Sequence, residues 1–147
     1  MSLEESKAIV RKVVEAANTR NLAVMDELMA SDFVDHKRQL QGLEALKQFA
    51  AMIYKSFSDF HETVEDIIAE GNKVWVRIKA TGTHTGEFLG LPPTGKKFTE
   101  TSVDIFRIVN GKLAEGWSVS DEVDFLKQLG AIEYTEQGKQ LFPETAP

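Results

Sequence analysis

Two tight turns join long segments of β-type sequence, and they constrain the fold of this 147-residue chain more than any other feature. Gly71-Asn72 separates two segments in which apolar and polar residues alternate, and Asn110-Gly111 separates a further pair. Asn-Gly is a strong hairpin signal because both turn positions require a positive φ angle. Consecutive hairpins predict antiparallel strands and exclude a parallel doubly wound sheet, which needs crossover helices.

Helical periodicity precedes these strands and follows them. Ser2 and Glu5 have the spacing of a capping box, and apolar residues then recur at helical intervals. This predicts a first helix over residues 3–19. The same patterns predict helices over residues 22–29, 43–57 and 121–129, strands over residues 63–70, 73–83, 97–109 and 113–120, an extended piece over residues 32–36 and a loosely ordered tail after Tyr134.

The order of these elements predicts an α+β fold in a single domain over residues 1–147. N-terminal helices would cover one face of a strongly curved antiparallel sheet. A sheet bent in this way encloses a concave cavity, which is where small ligands bind. The convex face would carry Trp75, Val103 and Ile105. An apolar patch of this kind calls for a partner surface, so we expect a homodimer.

Composition limits the partners and cofactors. The net charge of −6 disfavours nucleic acid, whose phosphates require clustered Lys and Arg. The absence of cysteine excludes disulfides and cysteine-based metal centres, and the three histidines lack His-x-x-x-His spacing, so we expect no metal. The N-terminus has no apolar stretch, and the longest apolar run, residues 49–54, is too short for a membrane span. We therefore expect a cytoplasmic protein that does not enter membranes.

Five local strings spread over nearly the whole chain resemble the SnoaL-like polyketide cyclase family. They read DFVDH from Asp32, GTHTGEF from Gly82, GLPPTGK from Gly90, RIVNGKL from Arg107 and WSVSD from Trp117. The resemblance implies the cone-shaped fold of nuclear transport factor two and ketosteroid isomerase. It also implies a homodimer that takes a small-molecule ligand.

Characterised cyclases of this family close a ring by intramolecular aldol condensation without metal or cofactor. Their general acid/base is an aspartate, and the resemblance places this role on Asp121. The same cyclases carry a histidine where this chain has Asp104. Replacing a neutral donor by a carboxylate would alter substrate binding or activity.

Asp121 fits two roles. It opens the last predicted helix, where an Asp side chain accepts bonds from free backbone N–H groups. Strict alternation from Leu113 through Trp117 would instead turn it into the cavity, where desolvation raises the pKa of a carboxylate and makes it a better base. The surroundings of Asp121 discriminate between a helix cap and a base.

The remaining candidates have a functional and a structural interpretation each. His36 and His84 could donate to a developing enolate oxygen or serve as hydrogen-bonded structural residues. Trp117 could stack on a flat aromatic ligand or belong to the core, and Asp104 could line the cavity or face solvent. The predicted apolar walls of the cavity are Phe33, Phe49 and Phe106.

Two functions are therefore open. The first is a cofactor-free enzyme that performs acid/base chemistry on a carbonyl-rich or aromatic small molecule, with aldol cyclisation as the named form and isomerisation or hydration as variants. The second is a non-catalytic module of the same fold that binds a small ligand or associates as a dimer, because a fold does not determine a function.

Overall fold

The computed structural model describes residues 1–142. Its helices are α1 (Leu3–Asn18), α2 (Met25–Leu28), α3 (Leu43–Ser56), α4 (Glu122–Leu129) and α5 (Glu136–Leu141). Its strands are β1 (Met29–Asp35), β2 (Leu40–Gln41), β3 (His61–Glu70), β4 (Lys73–Thr83), β5 (Lys97–Val109) and β6 (Lys112–Ser120). The predicted α+β class is confirmed, and the predicted helices and strands begin and end within three residues of these bounds, while β2 was not predicted.

The tail contains one helix that the sequence analysis did not predict. α5 lies in the segment after Tyr134, and the Thr135 side chain caps it by accepting a bond from the Gly138 N–H at 3.0 Å. Residues 143–147 of that tail lie outside the described residues.

The six strands form one sheet in the order β2-β1-β6-β5-β4-β3. The neighbours from β3 to β6 are antiparallel, as predicted, and Asn110 and Gly111 take positive φ angles at the last hairpin. β1 differs, since it pairs with β6 in parallel, with Asp35 opposite Gly116. A parallel pair requires a long crossover connection, and here α3 and four strands intervene along the chain.

α1 lies across β3 and fastens the start of that strand. Ser2 and Glu5 form the predicted capping box, and Val10 and Val14 are buried in the main core. At the other end of the helix, the Asn18 amide donates to the Glu62 carbonyl and accepts from the Glu62 N–H, both at 2.8 Å. One side chain therefore satisfies both backbone groups of Glu62 and holds it in place.

α3 anchors the loop between β4 and β5 through its last residue. The fully buried Ser56 hydroxyl donates to the Glu87 carbonyl at 2.6 Å. The Ser56 carbonyl accepts from the N–H groups of Thr85 and Gly86, each at 3.0 Å. Next to this anchor, Phe57 packs with Phe98 and Leu129, so α4 closes over the same end of the sheet.

The register of the strands separates two faces of the sheet. Rows of directly paired residues cross β4, β5 and β6: Val76, Asp104 and Ser118 form one row, and Trp75, Ile105 and Trp117 form the next. Successive rows point to opposite sides. The first row faces the helices, because Val76 is 1% exposed, whereas Trp75 in the second row is 47% exposed. Asp104 therefore lies on the inner, concave face.

Gly86→Ala tests the loop anchor. A Cβ atom at this position would lie 2.2 Å from the Lys55 carbonyl oxygen, and that atom belongs to the backbone of α3. We expect the variant to lose at least about 2 kcal/mol of unfolding free energy in urea titrations, since neither backbone can move without breaking the Ser56 bonds. Glu87→Ala is the control, because its side chain is exposed and should matter by less than about 0.5 kcal/mol. Equal stability of Gly86→Ala and wild type would contradict this account.

Candidate active site

A cavity of about 300 Å³ lies between the concave face of the sheet and the helices. Most of its surface is apolar, and phenylalanines supply a large share of the walls. The predicted wall residues Phe33, Phe49 and Phe106 all border it. The other aromatic residues that border it are Tyr54, Phe57, Phe60, Phe88, Phe98, Trp117 and Phe125. Such a cavity accepts a small, largely apolar ligand.

Asp104 is the carboxylate that the sheet places inside this cavity. Its Oδ1 accepts a hydrogen bond of 2.5 Å from the Ser118 hydroxyl, which lies directly opposite on β6. Desolvation raises the pKa of Asp104 above its usual range, and the bond from Ser118 counteracts part of that rise. A partly dehydrated carboxylate with a raised pKa is a stronger base than a surface carboxylate.

Glu62 is a second carboxyl group in the cavity. It sits opposite Ala80 on the inner face of β3 and belongs to the cavity lining. Burial raises the pKa of Glu62 to about 7, and the negative charge of Asp104 adds to the rise. Its carboxyl group makes no hydrogen bond or ion pair with the residues described, and Arg38 provides only a longer-range attraction. Near neutral pH this group is therefore poised to carry a proton or to release one.

A cationic corner completes the polar part of the cavity. The buried Asp35 accepts bonds from the N–H groups of Lys37 and Arg38, both at 3.1 Å, and from the Arg38 guanidinium at 2.9 Å. The guanidinium stands 4.8 Å from the centre of the Phe49 ring. Lys37 bonds to Ser120 and pairs with Glu122 at 3.4 Å. Asp35 thus fixes a tight turn that places Lys37 and Arg38 at the edge of a largely apolar cavity.

Asp121 does not line the cavity. Its exposed side chain caps α4 by accepting a bond from the Asp124 N–H at 3.0 Å. Strict alternation from Leu113 predicted that Asp121 faces the cavity. A bulge at Ala114 breaks this alternation, because Ile108 opposes Leu113 while Arg107 opposes Glu115, and the residues after the bulge face the opposite side from the one predicted. This position supports the helix-cap interpretation and gives no support to a catalytic role.

The same bulge turns the Trp117 ring outward. Trp117 is among the residues that border the cavity, but its ring stacks on His36 at 4.8 Å, in a row with Trp75 and Ile105 on the convex face. The His36 side chain is 40% exposed, and its Nε2 lies 2.7 Å from a Glu115 oxygen. This contact, together with Arg107, lowers the pKa of Glu115. His36 and Trp117 therefore belong to the outer surface.

His84 is fully buried beneath the loop that follows β4 and is not part of the cavity lining. Its Nδ1 accepts from the Thr94 N–H at 3.3 Å and lies 3.0 Å from the Thr94 hydroxyl. Its Nε2 has no partner within residues 1–142. The ring packs on Phe57 at 5.5 Å between centroids. These contacts make His84 an internal support of the loop.

Several polar residues of the cavity were not singled out from the sequence, among them Glu62, Arg38 and Ser118. Glu62 shares the inner face with Val64 and Ile67, and a charged residue on an apolar face is a usable signal. Arg38 is placed by Asp35, and Ser118 by its pairing with Asp104, so neither carries a local signal. In the described part of the chain, no group of three or more His, Asp or Glu side chains could hold a metal ion. No helix there is long and apolar enough to cross a membrane.

Comparison with known proteins assigns this architecture to a family. The sequence profile described as SnoaL-like polyketide cyclase matches residues 7–129. The aklanonic acid methyl ester cyclase DauD of Streptomyces sp. (strain C5) is 31% identical over 142 residues, covering 92% of this chain and 88% of DauD.

Two solved structures share the fold at similar identity. IdmH of Streptomyces antibioticus, a candidate polyketide cyclase, is 33% identical with a TM-score of 0.74, over 85% of this chain and 98% of IdmH. AclR of Streptomyces galilaeus, a candidate hydroxylase, is 30% identical with a TM-score of 0.79, over 90% of this chain and 100% of AclR.

The raised pKa of Glu62 predicts a pH-dependent change in stability. A carboxyl group with a raised folded-state pKa contributes stability that is fully present below its unfolded pKa of 4.5 and is lost as the pH rises through about 7. Glu62→Gln removes this loss. The unfolding free energy of the variant minus that of wild type should therefore be on the order of 2–3 kcal/mol larger at about pH 8 than at about pH 4. Urea unfolding at the two pH values measures the difference.

The exposed Glu27 provides the matched control. Glu27→Gln should shift stability by the same small amount at both pH values. If Glu62→Gln behaves in the same way, Glu62 titrates like a surface carboxylate and the described burial is wrong.

Proposed function

Because the chain belongs to the SnoaL-like polyketide cyclase family, we propose that it closes a ring in a carbonyl-rich polyketide ester by intramolecular aldol condensation, without a cofactor. The observation that carries the proposal is Asp104, a carboxylate inside a largely apolar cavity that accepts a short hydrogen bond from Ser118. The name of the relative DauD suggests aklanonic acid methyl ester as the first substrate to test. The absence of cysteine fits a reducing compartment, and we place the reaction in the cytoplasm.

Asp104 is the general base in this proposal. Its carboxylate removes a proton from the carbon α to a carbonyl, and the electron pair of the C–H bond forms an enolate. The nearby positive charges of Arg38 and Lys37 favour the developing negative charge on the enolate oxygen. The enolate carbon then attacks a second carbonyl of the same molecule, which forms the C–C bond and leaves an alkoxide that takes up a proton.

The apolar walls contribute as much as the base. General base catalysis supplies roughly 10²–10⁴ in rate. Holding two carbons of one molecule in near-attack geometry supplies up to about 7–11 kcal/mol, provided that the chain cannot adopt other conformations. The phenylalanine side chains that border the cavity would limit the conformations of a flat substrate and keep water from the enolate.

Hydroxylation is the second candidate, because AclR is as similar to this chain as DauD is. The two reactions differ in mass balance. Aldol cyclisation conserves the mass of the substrate, whereas hydroxylation adds one oxygen atom and requires an oxidant. Mass spectrometry of the product therefore separates the two candidates in a single assay.

Asp104→Asn and Asp121→Asn form a matched pair for locating the base. Asn at either position keeps an oxygen that accepts the existing hydrogen bond, so both variants should fold. We expect turnover of aklanonic acid methyl ester to fall at least about 10²-fold in Asp104→Asn and to stay within about threefold in Asp121→Asn. The reverse result would place the base on Asp121, as the sequence analysis predicted.

The convex face supports the proposal of a homodimer. Ile68, Trp75, Ile105 and Trp117 form an apolar row across four strands. Ile68 is 61% exposed and Trp75 is 47% exposed. Exposed apolar rows of this extent on a regular sheet are typical of protein interfaces. A second copy of the same sheet is the partner that we propose.

Trp75→Glu tests this interface. A charge in the middle of the apolar row should raise the dimer dissociation constant at least about 30-fold, the effect of losing a central aromatic contact. Leu89→Glu is the control, since Leu89 is exposed on the loop after β4, away from this face. Sedimentation at micromolar concentration measures both. A monomeric wild type would refute the dimer proposal.

A further inference from the structure

We propose that Glu62 is a second catalytic residue, which acts as the acid and protonates the oxygen of the carbonyl under attack while Asp104 acts as the base. This inference rests on the proposed aldol function. It assigns separate groups to the two proton transfers of the reaction.

The backbone of Glu62 is held firmly. Its N–H and its carbonyl both bond to the Asn18 amide at 2.8 Å, so the end of α1 fixes the start of β3. Its side chain projects from the inner face, in one row with Ala80 and Glu100. A group that serves in proton transfer must be held at a defined place, and this clamp holds the residue without using its carboxyl group.

The carboxyl group itself is free to bind a ligand. Three of the other acidic side chains around the cavity are engaged: Asp35 with Arg38, Asp104 with Ser118 and Glu122 with Lys37. Glu62 has no such partner among the described residues. Its oxygens are also not sealed from solvent, because the only fully enclosed side-chain polar atom without a partner within residues 1–142 is His84 Nε2.

The charges that face Glu62 favour its protonated form. Asp104 on β5 repels a second negative charge, while Arg38 attracts one from a distance. Tyr54 on α3 is also near Glu62: burial raises its pKa, Arg20 above its ring lowers it, and the charge of Glu62 raises it. With desolvation as the largest cause, the pKa of Glu62 reaches about 7. Two coupled carboxyl groups of this kind favour the state with one proton between them.

The single-proton state is the one that the reaction needs. Asp104 takes the α-proton, so the C–H bond breaks and the enolate forms. As the C–C bond forms, the π electrons of the second carbonyl move to its oxygen, and Glu62 gives its proton to that oxygen. The product has gained one proton and lost one. The protein is left with Asp104 protonated and Glu62 ionised, and proton exchange with water restores the starting state.

Glu100 is the competing candidate. It also lines the cavity without a hydrogen bond to its carboxyl group, and burial raises its pKa. The positive charge of Lys37 is the largest influence after burial and favours its ionised form. Glu100 thus faces the cationic corner, whereas Glu62 faces the base.

The test is the pH dependence of kcat for aklanonic acid methyl ester in four proteins: wild type, Glu62→Gln, Glu100→Gln and Glu27→Gln. In wild type the rate should fall above about pH 7, as Glu62 loses its proton. In Glu62→Gln, kcat should drop at least about tenfold and the alkaline fall should vanish, with little change in KM. Glu100→Gln should keep the alkaline fall, and Glu27→Gln should match wild type throughout.

The outcomes separate this inference from the function on which it rests. If Asp104→Asn loses turnover but Glu62→Gln keeps both the rate and the alkaline fall, the acid is not Glu62 and the aldol function stands. If the alkaline fall vanishes only in Glu100→Gln, Glu100 is the acid. If wild type forms no cyclised product, both fail. Carbon-13 NMR titration adds a readout without substrate: a Glu62 midpoint below about pH 5 overturns the inference whatever the rates show.

Discussion

The continuous ladder between β4 and β5 is the constraint from which the other features follow. These strands pair without interruption from Lys73 opposite Arg107 to Thr83 opposite Lys97. Since side chains alternate along each strand, this one register decides that Asp104 faces the helices and that Trp75 and Ile105 face outward. A slip of one residue would place the carboxylate on the surface and the apolar row in the cavity. The pairing thus determines the chemistry of both faces at once.

The fold could be predicted from the sequence because its signals are local. A capping box, two hairpin dipeptides and simple periodicity locate most helices and strands. The site could be predicted only in part. Asp104, three phenylalanines and Trp117 were predicted on the cavity and border it. The direction of the Trp117 ring and the position of Asp121 were predicted wrongly, because the single extra residue Ala114 reverses the phase of β6. Such a bulge depends on pairing with another strand, so it leaves no mark on the periodicity of its own strand.

The charged groups of the cavity are far apart in the sequence, so no local sequence pattern predicts how they influence one another. Glu62, Asp104 and Arg38 come from three separate parts of the chain. Only after folding do Asp104 and Arg38 alter the pKa of Glu62, and Arg38 that of Asp104. The low polarity of the surroundings makes these influences large. In the proposed reaction, two carboxyl groups and one guanidinium, each ordinary in water, serve as a base, an acid and a stabilising charge because folding brings them into one largely apolar cavity.

The anchoring of the loop after β4 has a consequence for how this protein could change over evolution. Ser56 and His84 hold the two ends of that loop by backbone bonds, and its Phe88 reaches the cavity. The acidic groups stand on strands that make no use of these bonds. The loop between the two anchors can therefore change in sequence or in length while Glu62 and Asp104 keep their positions. If the proposed reaction is correct, sequence changes in this loop could alter which ligand fits the cavity while the proposed acid and base stay in place.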